Sequence, residues 1–293
     1  MSETVLTGRP AARGRSLTDD AIARLLANRA ATASLVVLVL LTLFALLGPA
    51  LTPWPYDQVN KSDVWVPPLT HGHLLGTDAL GRDLLARLAM GLRVSLSIGL
   101  VATLVSLLIG VAWGATAGYL GGVVDEAMMR IVDVLYALPF IFFVILLMVA
   151  FGSNILLIFV AIGAVEWLTM SRIVRGQTLS LKQKEFIEAA RAAGLGRLGV
   201  VVRHIIPNLL GPMAVYVTLT IPAVILAESF LSFLGLGVQP PMASLGTLIS
   251  AGAQDMEMAW WLLVFPSLAM AATLAAFNFI GDGLRDALDP KDR

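Results

Sequence analysis

Long stretches of this chain carry no charged side chain, and they set its organisation. They cover residues 30–56, 94–124, 134–165, 205–227 and 258–281. A helix needs about 20 apolar residues to cross roughly 30 Å of hydrocarbon, so each stretch is long enough to span a membrane. The third is too long for one span, and Gly152, Ser153 and Asn154 interrupt it with a turn signal.

This pattern predicts an all-α polytopic membrane protein with six transmembrane helices. The predicted spans are residues 32–51, 94–117, 133–151, 155–171, 209–233 and 259–281, with a tight hairpin between the third and the fourth. A signal peptide is the alternative for the first span. Its apolar core would be about 7–15 residues long, whereas here a longer apolar stretch follows the polar residues 1–29, which favours a membrane anchor.

The composition points the same way. Hydrophobic residues make up 58% of the 293 residues and charged residues only 14%, whereas soluble domains have roughly 45–50% and about 25%. The absence of cysteine excludes disulfides, thiolate metal sites and cysteine nucleophiles. The zero formal net charge gives no reason to expect a nucleic-acid partner, and the apolar spans make membrane lipid a partner.

The positive charges favour one orientation. With a cytoplasmic N-terminus, 16 of the 20 lysine and arginine residues lie in cytoplasmic segments, as expected because cytoplasmic loops are enriched in them. An even number of spans then places both termini inside. The predicted parts are an N-terminal tail at 1–29, a first span with an extracytoplasmic segment at 30–93, a five-helix core at 94–281 and a C-terminal tail at 282–293.

Two outer segments have structure of their own in this interpretation. The pattern of residues 78–88 predicts a short amphipathic helix that lies against the membrane surface or packs on the bundle. Its apolar face holds Leu80, Leu84, Leu85 and Leu88. The loop 235–257 is unusually apolar, and we expect it to dip toward the bundle, because irregular backbone at membrane depth must be buried in protein or line water.

The cytoplasmic loop 172–208 is basic and contains a predicted helix. Ser180 and Gln183 form a capping box at its start, and Gly194 stands where a left-handed residue would end it. Beyond the loop's helix, Pro207 suits the first turn of the next span.

The predicted helix has a narrow apolar face made mostly of small residues. The face consists of Phe186, Ala189, Ala190 and Ala193 at i, i+3, i+4 and i+7. Glu188 and Arg191 are spaced to pair on its flank. Small side chains let a partner's backbone approach closely, so the face predicts a docking surface.

Residues 188–207, EAARAAGLGRLGVVVRHIIP, resemble the EAA signature of ABC importer permeases. The positions in register are Glu188, Ala189, Ala190, Gly194 and Pro207. His204 stands where the general pattern has an aliphatic residue, and Ile206 replaces a leucine. The H-x-x-P-N ending is similar to the variant in peptide-class permeases.

Three further stretches resemble the C-type permease subunit of dipeptide, oligopeptide and nickel importers. They are HLLGTDALGRDLLARL at 73–88, AESFLSFLGLGVQPPMASLGTLI at 227–249 and GDGLRDALDP at 281–290. The resemblance therefore runs from about residue 30 to the end, with four motifs in the family's order.

The resemblance implies a type I importer permease fold in the bacterial cytoplasmic membrane, with defined partners. A B-type permease subunit would complete the pore, two cytoplasmic ATPases would bind ATP and Mg²⁺, and an extracytoplasmic binding protein would deliver a peptide. The EAA helix would be the coupling helix that docks on an ATPase through Phe186, Glu188, Ala189, Ala190, Arg191 and Gly194. Residues that would support this loop are Arg172, Arg175, His204 and Pro207.

The glycine patterns give no nucleotide site in this chain. No G-x-x-x-x-G-K-[ST] sequence is present, so the chain has no P-loop and is not predicted to be an enzyme or to hold a cofactor. GLGRLG at 194–199 matches G-x-G-x-x-G, but a dinucleotide turn needs a strand before it and a helix after it in a βαβ unit. Here the glycines follow a predicted helix, and we interpret the match as a coincidence of spacing.

Polar residues in or near the spans are candidates for the translocation path. Glu228 is interpreted first as an interfacial residue that caps a bend with Ser229, and Glu166 as either a structural hydrogen-bonding group or a lining residue. Asn278 is interpreted first as a helix–helix contact. Kinks, with gating hinges as the alternative, are expected at Pro139, Pro222 and Pro266.

Two clusters of ionisable residues have plain interpretations. His71 and His73 with Asp78 are weak evidence for metal, because metal sites need a defined ligand set, and no metal site is predicted. A solvated inner loop is the interpretation of Asp125, Glu126, Arg130 and Asp133.

Several alternatives stay open at this point. The same motifs occur in importers of nickel chelates, glutathione and oligosaccharides. An ion-coupled secondary transporter would need intramembrane acidic groups and inverted repeats, for which Glu166 and Glu228 are the only acidic candidates. A membrane-embedded enzyme is disfavoured by the lack of an H-E-x-x-H or serine–histidine pattern.

Overall fold

A computed structural model describes residues 17–151 and 155–288 of the chain. Its helices are α1 (Leu17–Ala27), α2 (Arg29–Leu51), α3 (Leu84–Leu120), α4 (Gly122–Ala137), α5 (Phe140–Phe151), α6 (Ile155–Lys182), α7 (Glu185–Ala192), α8 (Arg197–Val200), α9 (Ile206–Phe233), α10 (Leu245–Gln254) and α11 (Trp261–Leu288). A π-helical segment, Val201–Ile205, connects α8 to α9. In the described ranges there is no β-strand, only two isolated bridges in the outer segment, so the chain is all-α as predicted.

Four helical runs are long and apolar enough to cross a membrane. They are α2, α3, the run Arg197–Phe233 and α11, and the α4–α5 pair makes a fifth if it counts as one bent span. The predicted spans 32–51, 94–117, 209–233 and 259–281 correspond to the first four. A polytopic helical membrane protein is thereby confirmed.

The other two predicted spans fall on more complex elements. Residues 133–151 correspond to the α4–α5 pair, which is bent by 83°. The kink expected at Pro139 is thus a break between two helices, because proline cannot supply the backbone N–H that a continuous helix needs there. The predicted span 155–171 is the first part of α6, and the predicted hairpin at 152–154 lies outside the described residues.

The outer amphipathic helix is not a separate element. The helix starts only at Leu84, where the Asp83 side chain accepts a hydrogen bond from the Ala86 N–H at 2.8 Å. It then continues as α3 to Leu120. Leu84 is buried, whereas Leu80 lies before the helix and is 47% exposed, so the predicted four-leucine face is wrong at Leu80.

The outer loop 235–257 packs into the bundle, but as a helix that the sequence interpretation missed. The N-terminus of α10 is fixed by a reciprocal capping box between Ser244 and Thr247. Leu245 has no exposed surface, and its N–H donates to Ser95 Oγ of α3 at 3.0 Å.

Polar contacts join the outer segment to the helix ends. The indole N–H of Trp261, at the start of α11, donates to the Thr77 carbonyl at 3.2 Å. His73 Nδ1 lies 2.8 Å from Asp83, the cap of α3. The Arg93 guanidinium on α3 donates to the Ala45 carbonyl near the end of α2 at 3.0 Å. The outer ends of α2, α3 and α11 are thus held together.

A stripe of glycines brings α3 and α6 into close contact. Gly110, Gly114 and Gly118 are spaced by four residues and face α6. A Cβ built at Gly114 would lie 2.3 Å from the Ser171 carbonyl oxygen, and one at Gly118 would lie 2.9 Å from the Arg175 carbonyl oxygen. The two backbones can approach this closely only because side chains are missing.

We predict that Gly114→Ala weakens the fold. The added methyl has no room against α6, and overpacking of this kind typically costs about 1–3 kcal/mol. The measurement is the thermal stability of the purified chain in detergent, together with its abundance in membranes. The matched control is Gly176→Ala on α6, where a Cβ would meet no atom within 4 Å. Equal stability of the two variants would contradict the close packing.

Candidate functional site

The short helix α7 packs against the bundle through one fully buried side chain. Ile187 has no exposed surface. It belongs to a hydrophobic cluster, called here the inner cluster, that consists of Ala115, Tyr119, Met170, Val174, Ile187, Val200, Ile205, Leu209 and Met213. These residues come from α3, α6, the π-helical segment and α9 as well as α7 and α8. The helix therefore rests on the converging ends of the longest helices.

The remaining surface of α7 points away from the chain. Phe186 is 42% exposed, Ala189 and Ala193 are exposed, and Ala190 is half-buried. The predicted apolar face is therefore present, and apart from half-buried Ala190 the described residues leave it exposed. An exposed apolar face on a helix that is itself anchored is typical of a surface that docks a partner. Glu188 lies exposed on the flank.

The end of α7 has the predicted left-handed glycine. Gly194 has φ of +83°, and its N–H donates to the Arg191 carbonyl at 2.9 Å. The Leu195 N–H donates to the Ala190 carbonyl at 3.1 Å. Together these bonds form a Schellman motif, which satisfies carbonyls that a helix end leaves unpaired. No strand precedes these glycines in the described chain, which agrees with the exclusion of a dinucleotide turn.

The start of α7 differs from its prediction. Ser180 lies inside α6, where its hydroxyl donates to the Gly176 carbonyl at 3.3 Å. The helix α6 ends at Lys182, and Lys184 precedes α7 without a side-chain cap. The predicted capping box is wrong because the span helix α6 continues through Ser180 to Lys182.

Arg191 contacts the bundle rather than its neighbour on the helix. Its Nε donates to the Tyr119 hydroxyl at 3.2 Å, and its guanidinium carbon lies 5.0 Å from the centre of the Tyr119 ring. The predicted pairing of Arg191 with Glu188 is wrong, since the arginine turns toward the end of α3. Tyr119 therefore gives α7 a second attachment beside Ile187.

Two of the predicted supporting arginines join α6 to α4. Arg175 donates to both carboxylate oxygens of Asp125, at 2.6 and 2.8 Å, and Arg172 donates to Asp133 at 2.8 Å. The hydrogen bonds with Asp125 raise the pKa of the Arg175 guanidinium above its usual value, so this group stays charged. Asp125 is only 8% exposed, so its interpretation as part of a solvated loop is wrong.

The other two supporting residues lie where the chain returns to the membrane. The His204 ring lies 6.5 Å from the Phe186 ring, measured between centroids. Pro207 occupies the first turn of α9, as predicted, where its missing N–H is not needed. His204 belongs to the π-helical segment that returns to the membrane, and its ring lies beside the exposed face of α7.

The three path candidates lie on different helices and are not brought together by hydrogen bonds in the described structure. Glu166 is half-buried on α6, and Asn278 is exposed on α11. Glu228 lies inside α9 with no exposed surface. The predicted cap of a bend with Ser229 is wrong, because α9 continues past Glu228 to Phe233.

Glu228 belongs to a buried polar junction between α9, α10 and α3. Its Oε1 accepts a hydrogen bond from Ser232 at 2.6 Å, and the Ser232 hydroxyl lies 3.4 Å from that of Ser244, the cap of α10. Ser95 of α3 accepts from the first residue of α10. The glutamate therefore anchors the outer helix α10 and does not face open space.

The outer histidines are engaged in pairs with carboxylates. His71 Nδ1 lies 2.9 Å from Asp63, and buried His73 also stacks on Trp54 with ring centroids 4.8 Å apart. In the described ranges no group of three or more His, Asp or Glu side chains is arranged to hold a metal ion.

Sequence reasoning missed Ile187, Tyr119 and Asp125, the residues that position α7 and its support. A weak signal existed for one of them: Ile187 is the one large aliphatic residue of α7, whose other residues are charged, aromatic or alanine. Tyr119 and Asp125 carry no local signal, since their partners Arg191 and Arg175 are 72 and 50 residues away.

Comparisons with known proteins identify the family of this chain. Residues 110–293 match the family described as the binding-protein-dependent transport system inner membrane component. Residues 16–68 match the N-terminal TM domain of oligopeptide transport permease C. The chain belongs to this family of transport permeases, and with its several apolar helices it is a multi-pass protein of the cytoplasmic membrane.

Individual relatives are similar over nearly their whole length. The chain is 57% identical to the oligopeptide transport system permease protein OppC of Escherichia coli, covering 96% of this chain and 93% of the relative. It is 53% identical to OppC of Haemophilus influenzae over 96% and 90%. It is 45% identical to the dipeptide transport system permease protein DppC of Bacillus subtilis over 95% and 87%.

We predict that Ile187→Ala loosens α7, whereas Phe186→Ala does not. Truncating a fully buried isoleucine typically costs about 2–5 kcal/mol, while Phe186 is 42% exposed and has less packing to lose. Limited trypsin digestion of inside-out vesicles measures the effect, because Lys182, Lys184, Arg191 and Arg197 flank or lie in the helix. Equal cleavage rates in the two variants would show that Ile187 does not hold α7.

Proposed function

We propose that this chain is a pore-forming permease subunit of an ATP-driven importer that moves oligopeptides inward across the cytoplasmic membrane. The observation that carries the proposal is α7, a helix anchored by buried Ile187 with its apolar face uncovered. The sequence has no P-loop of its own, so in this proposal partner subunits hydrolyse the ATP. The relatives, which are oligopeptide and dipeptide permeases by name, support peptides rather than nickel chelates, glutathione or oligosaccharides.

The proposed topology has six spans with both termini in the cytoplasm. The four candidate spans, the α4–α5 pair and the first part of α6 supply six crossings. The tails 1–29 and 282–293 and the loop 172–208 then lie inside, where the lysine and arginine enrichment belongs. The segment 30–93 supplies the first span and the extracytoplasmic segment that follows it.

The proposed coupling runs from a partner ATPase through α7 into the spans. Phe186, Ala189 and Ala190 dock in a groove of the ATPase, with Glu188 at the edge of the contact and Gly194 ending the helix. ATP and Mg²⁺ are bound by the ATPase. When the ATPases close, the force on α7 passes through Ile187 to the inner cluster, and Arg191 carries it to Tyr119 at the end of α3.

Force on α7 therefore reaches several spans at once. The inner cluster contains residues of α3, α6 and α9, and the glycine stripe makes α3 and α6 move as one body. The proposed alternation between inward-open and outward-open states is a rocking of this body. Arg172 and Arg175 couple α4 to it through Asp133 and Asp125.

A second permease subunit fits the remaining apolar surface. On α5 the side chains of Phe142, Leu146 and Val149 are 70%, 68% and 78% exposed. Such a surface requires lipid or another helix, and we assign part of it to a B-type permease. An extracytoplasmic binding protein delivers the peptide to the outer side. Glu166 and Asn278 are our remaining candidates for lining the path.

The test is Glu188→Lys in the importer reconstituted with its ATPases and binding protein. We expect normal membrane insertion and assembly, and ATP hydrolysis at its basal rate. Peptide uptake per ATP hydrolysed should fall at least about tenfold, because a reversed charge at the edge of the docking contact destabilises that contact by more than ~1.4 kcal/mol. Uptake of labelled oligopeptide into proteoliposomes and phosphate release are measured together.

The control for this experiment is Glu126→Lys, the same charge reversal on an exposed cytoplasmic residue of α4. It should leave the ratio of uptake to hydrolysis unchanged. Normal coupling in Glu188→Lys, or equal loss in both variants, would overturn the assignment of α7 as the coupling helix.

A further inference from the structure

A cleft lies beside α7, between this helix and the inner end of α3. It has a volume of about 300 Å³, and its lining residues are Tyr119, Leu120, Lys182, Arg191, Leu195 and Arg197. The cleft combines residues from α3, α6, α7 and α8, so it exists only in the folded loop. The apolar docking face and four of the six lining residues belong to the same cytoplasmic loop.

Three cations line the cleft, and two of them converge on one aromatic ring. The Arg191 guanidinium carbon lies 5.0 Å and Lys182 Nζ 5.9 Å from the centre of the Tyr119 ring. Arg197 begins α8 at the other side of the cleft. Across the described residues, no carboxylate lies within 4.0 Å of any of the three cations. The ring faces hold the cations in place but do not neutralise them.

In a second cleft, between α4 and α6, the cations are accompanied by carboxylates of the same chain. Its charged lining consists of Arg130, Arg172 and Arg175 together with Asp125, Glu126 and Asp133. Two of these arginines pair with carboxylates at 2.6 and 2.8 Å. The cleft beside α7 has as many cations and no acidic lining residue, so its charge is complementary to a group from outside the chain.

We propose that this cleft receives an acidic side chain of the partner ATPase, as a second contact beside the apolar docking face. The inference rests on the proposed function, because it assumes that α7 docks on an ATPase. Cations that are already positioned by Tyr119 and by the Schellman end of α7 lose little freedom when a carboxylate enters, and charge-assisted hydrogen bonds form at once. The cleft then fixes the rotation of the ATPase about α7.

The position of the cleft favours an ATPase over an anionic lipid. Lys182 lies eleven residues beyond residue 171, where the predicted span ends, and α6 is continuous between them. At 1.5 Å per residue this places Lys182 about 16 Å beyond the hydrocarbon if the helix runs along the membrane normal. A lipid phosphate lies much closer to the hydrocarbon than that, whereas a docked cytoplasmic protein reaches this depth.

The test is the double variant Lys182→Gln with Arg197→Gln in inside-out vesicles that carry the permease subunits without their ATPases. Removing one exposed ion pair typically weakens an interaction about 1.5- to 5-fold, so we expect the ATPase to bind membranes carrying the variant about 2- to 25-fold more weakly at low salt. The difference should shrink at high salt, because screening removes the same attraction in the unmodified chain. Binding of the purified ATPase to inside-out vesicles is titrated at several salt concentrations.

The matched control is Arg29→Gln with Arg285→Gln, which removes two exposed positive charges from the same side of the membrane. If both double variants bind the ATPase equally, the cleft is not an acceptor. A loss that is independent of salt, or that vanishes in vesicles without anionic lipid, would also overturn the proposal. The Glu188→Lys experiment separates the two levels: if coupling depends on Glu188 but ATPase binding does not depend on the cleft, only this inference fails.

Discussion

The close packing of α3 on α6 is the constraint on which the rest of the structure depends. Because Gly110, Gly114 and Gly118 present no side chains, the two backbones approach until a Cβ would collide with the carbonyls of Ser171 and Arg175. In a membrane the hydrophobic effect does not drive helices together, so such close van der Waals contact is what holds them. The inner ends of both helices are thereby fixed side by side.

The position of α7 follows from this pairing. The inner cluster forms where α3 and α6 end together, and Ile187 fills it while Tyr119 receives Arg191. Every other side chain of α7 is exposed or half-buried. The same elements thus explain why α7 is held against the bundle, why its apolar face is exposed and why the neighbouring cleft carries unbalanced positive charge.

Much of this could be predicted from the sequence, and the omissions have physical causes. The charge-free stretches correctly predicted four of the membrane-spanning helices, because the length and hydropathy of a stretch are local properties of the sequence. The left-handed Gly194 and the apolar face of α7 are likewise local patterns. Ile187 as anchor and the Arg175–Asp125 pair could not be predicted, since they depend on which helix ends meet. The capping box predicted at Ser180 is wrong because the long helix α6 continues through this short motif. The helix α10 was missed because its capping residues, Ser244 and Thr247, lie in a stretch whose sequence is typical of an irregular loop.

The central claim is that the uncovered face of α7 is the place where the ATPase docks. Because the chain has no cysteine, a benzophenone maleimide attached to Ala189→Cys tests it directly, with exposed Glu126→Cys on α4 as the reference position. In the assembled importer, illumination should cross-link the chain to the ATPase from position 189 and not from position 126. No cross-link from position 189, or equal yields from both positions, would contradict the account.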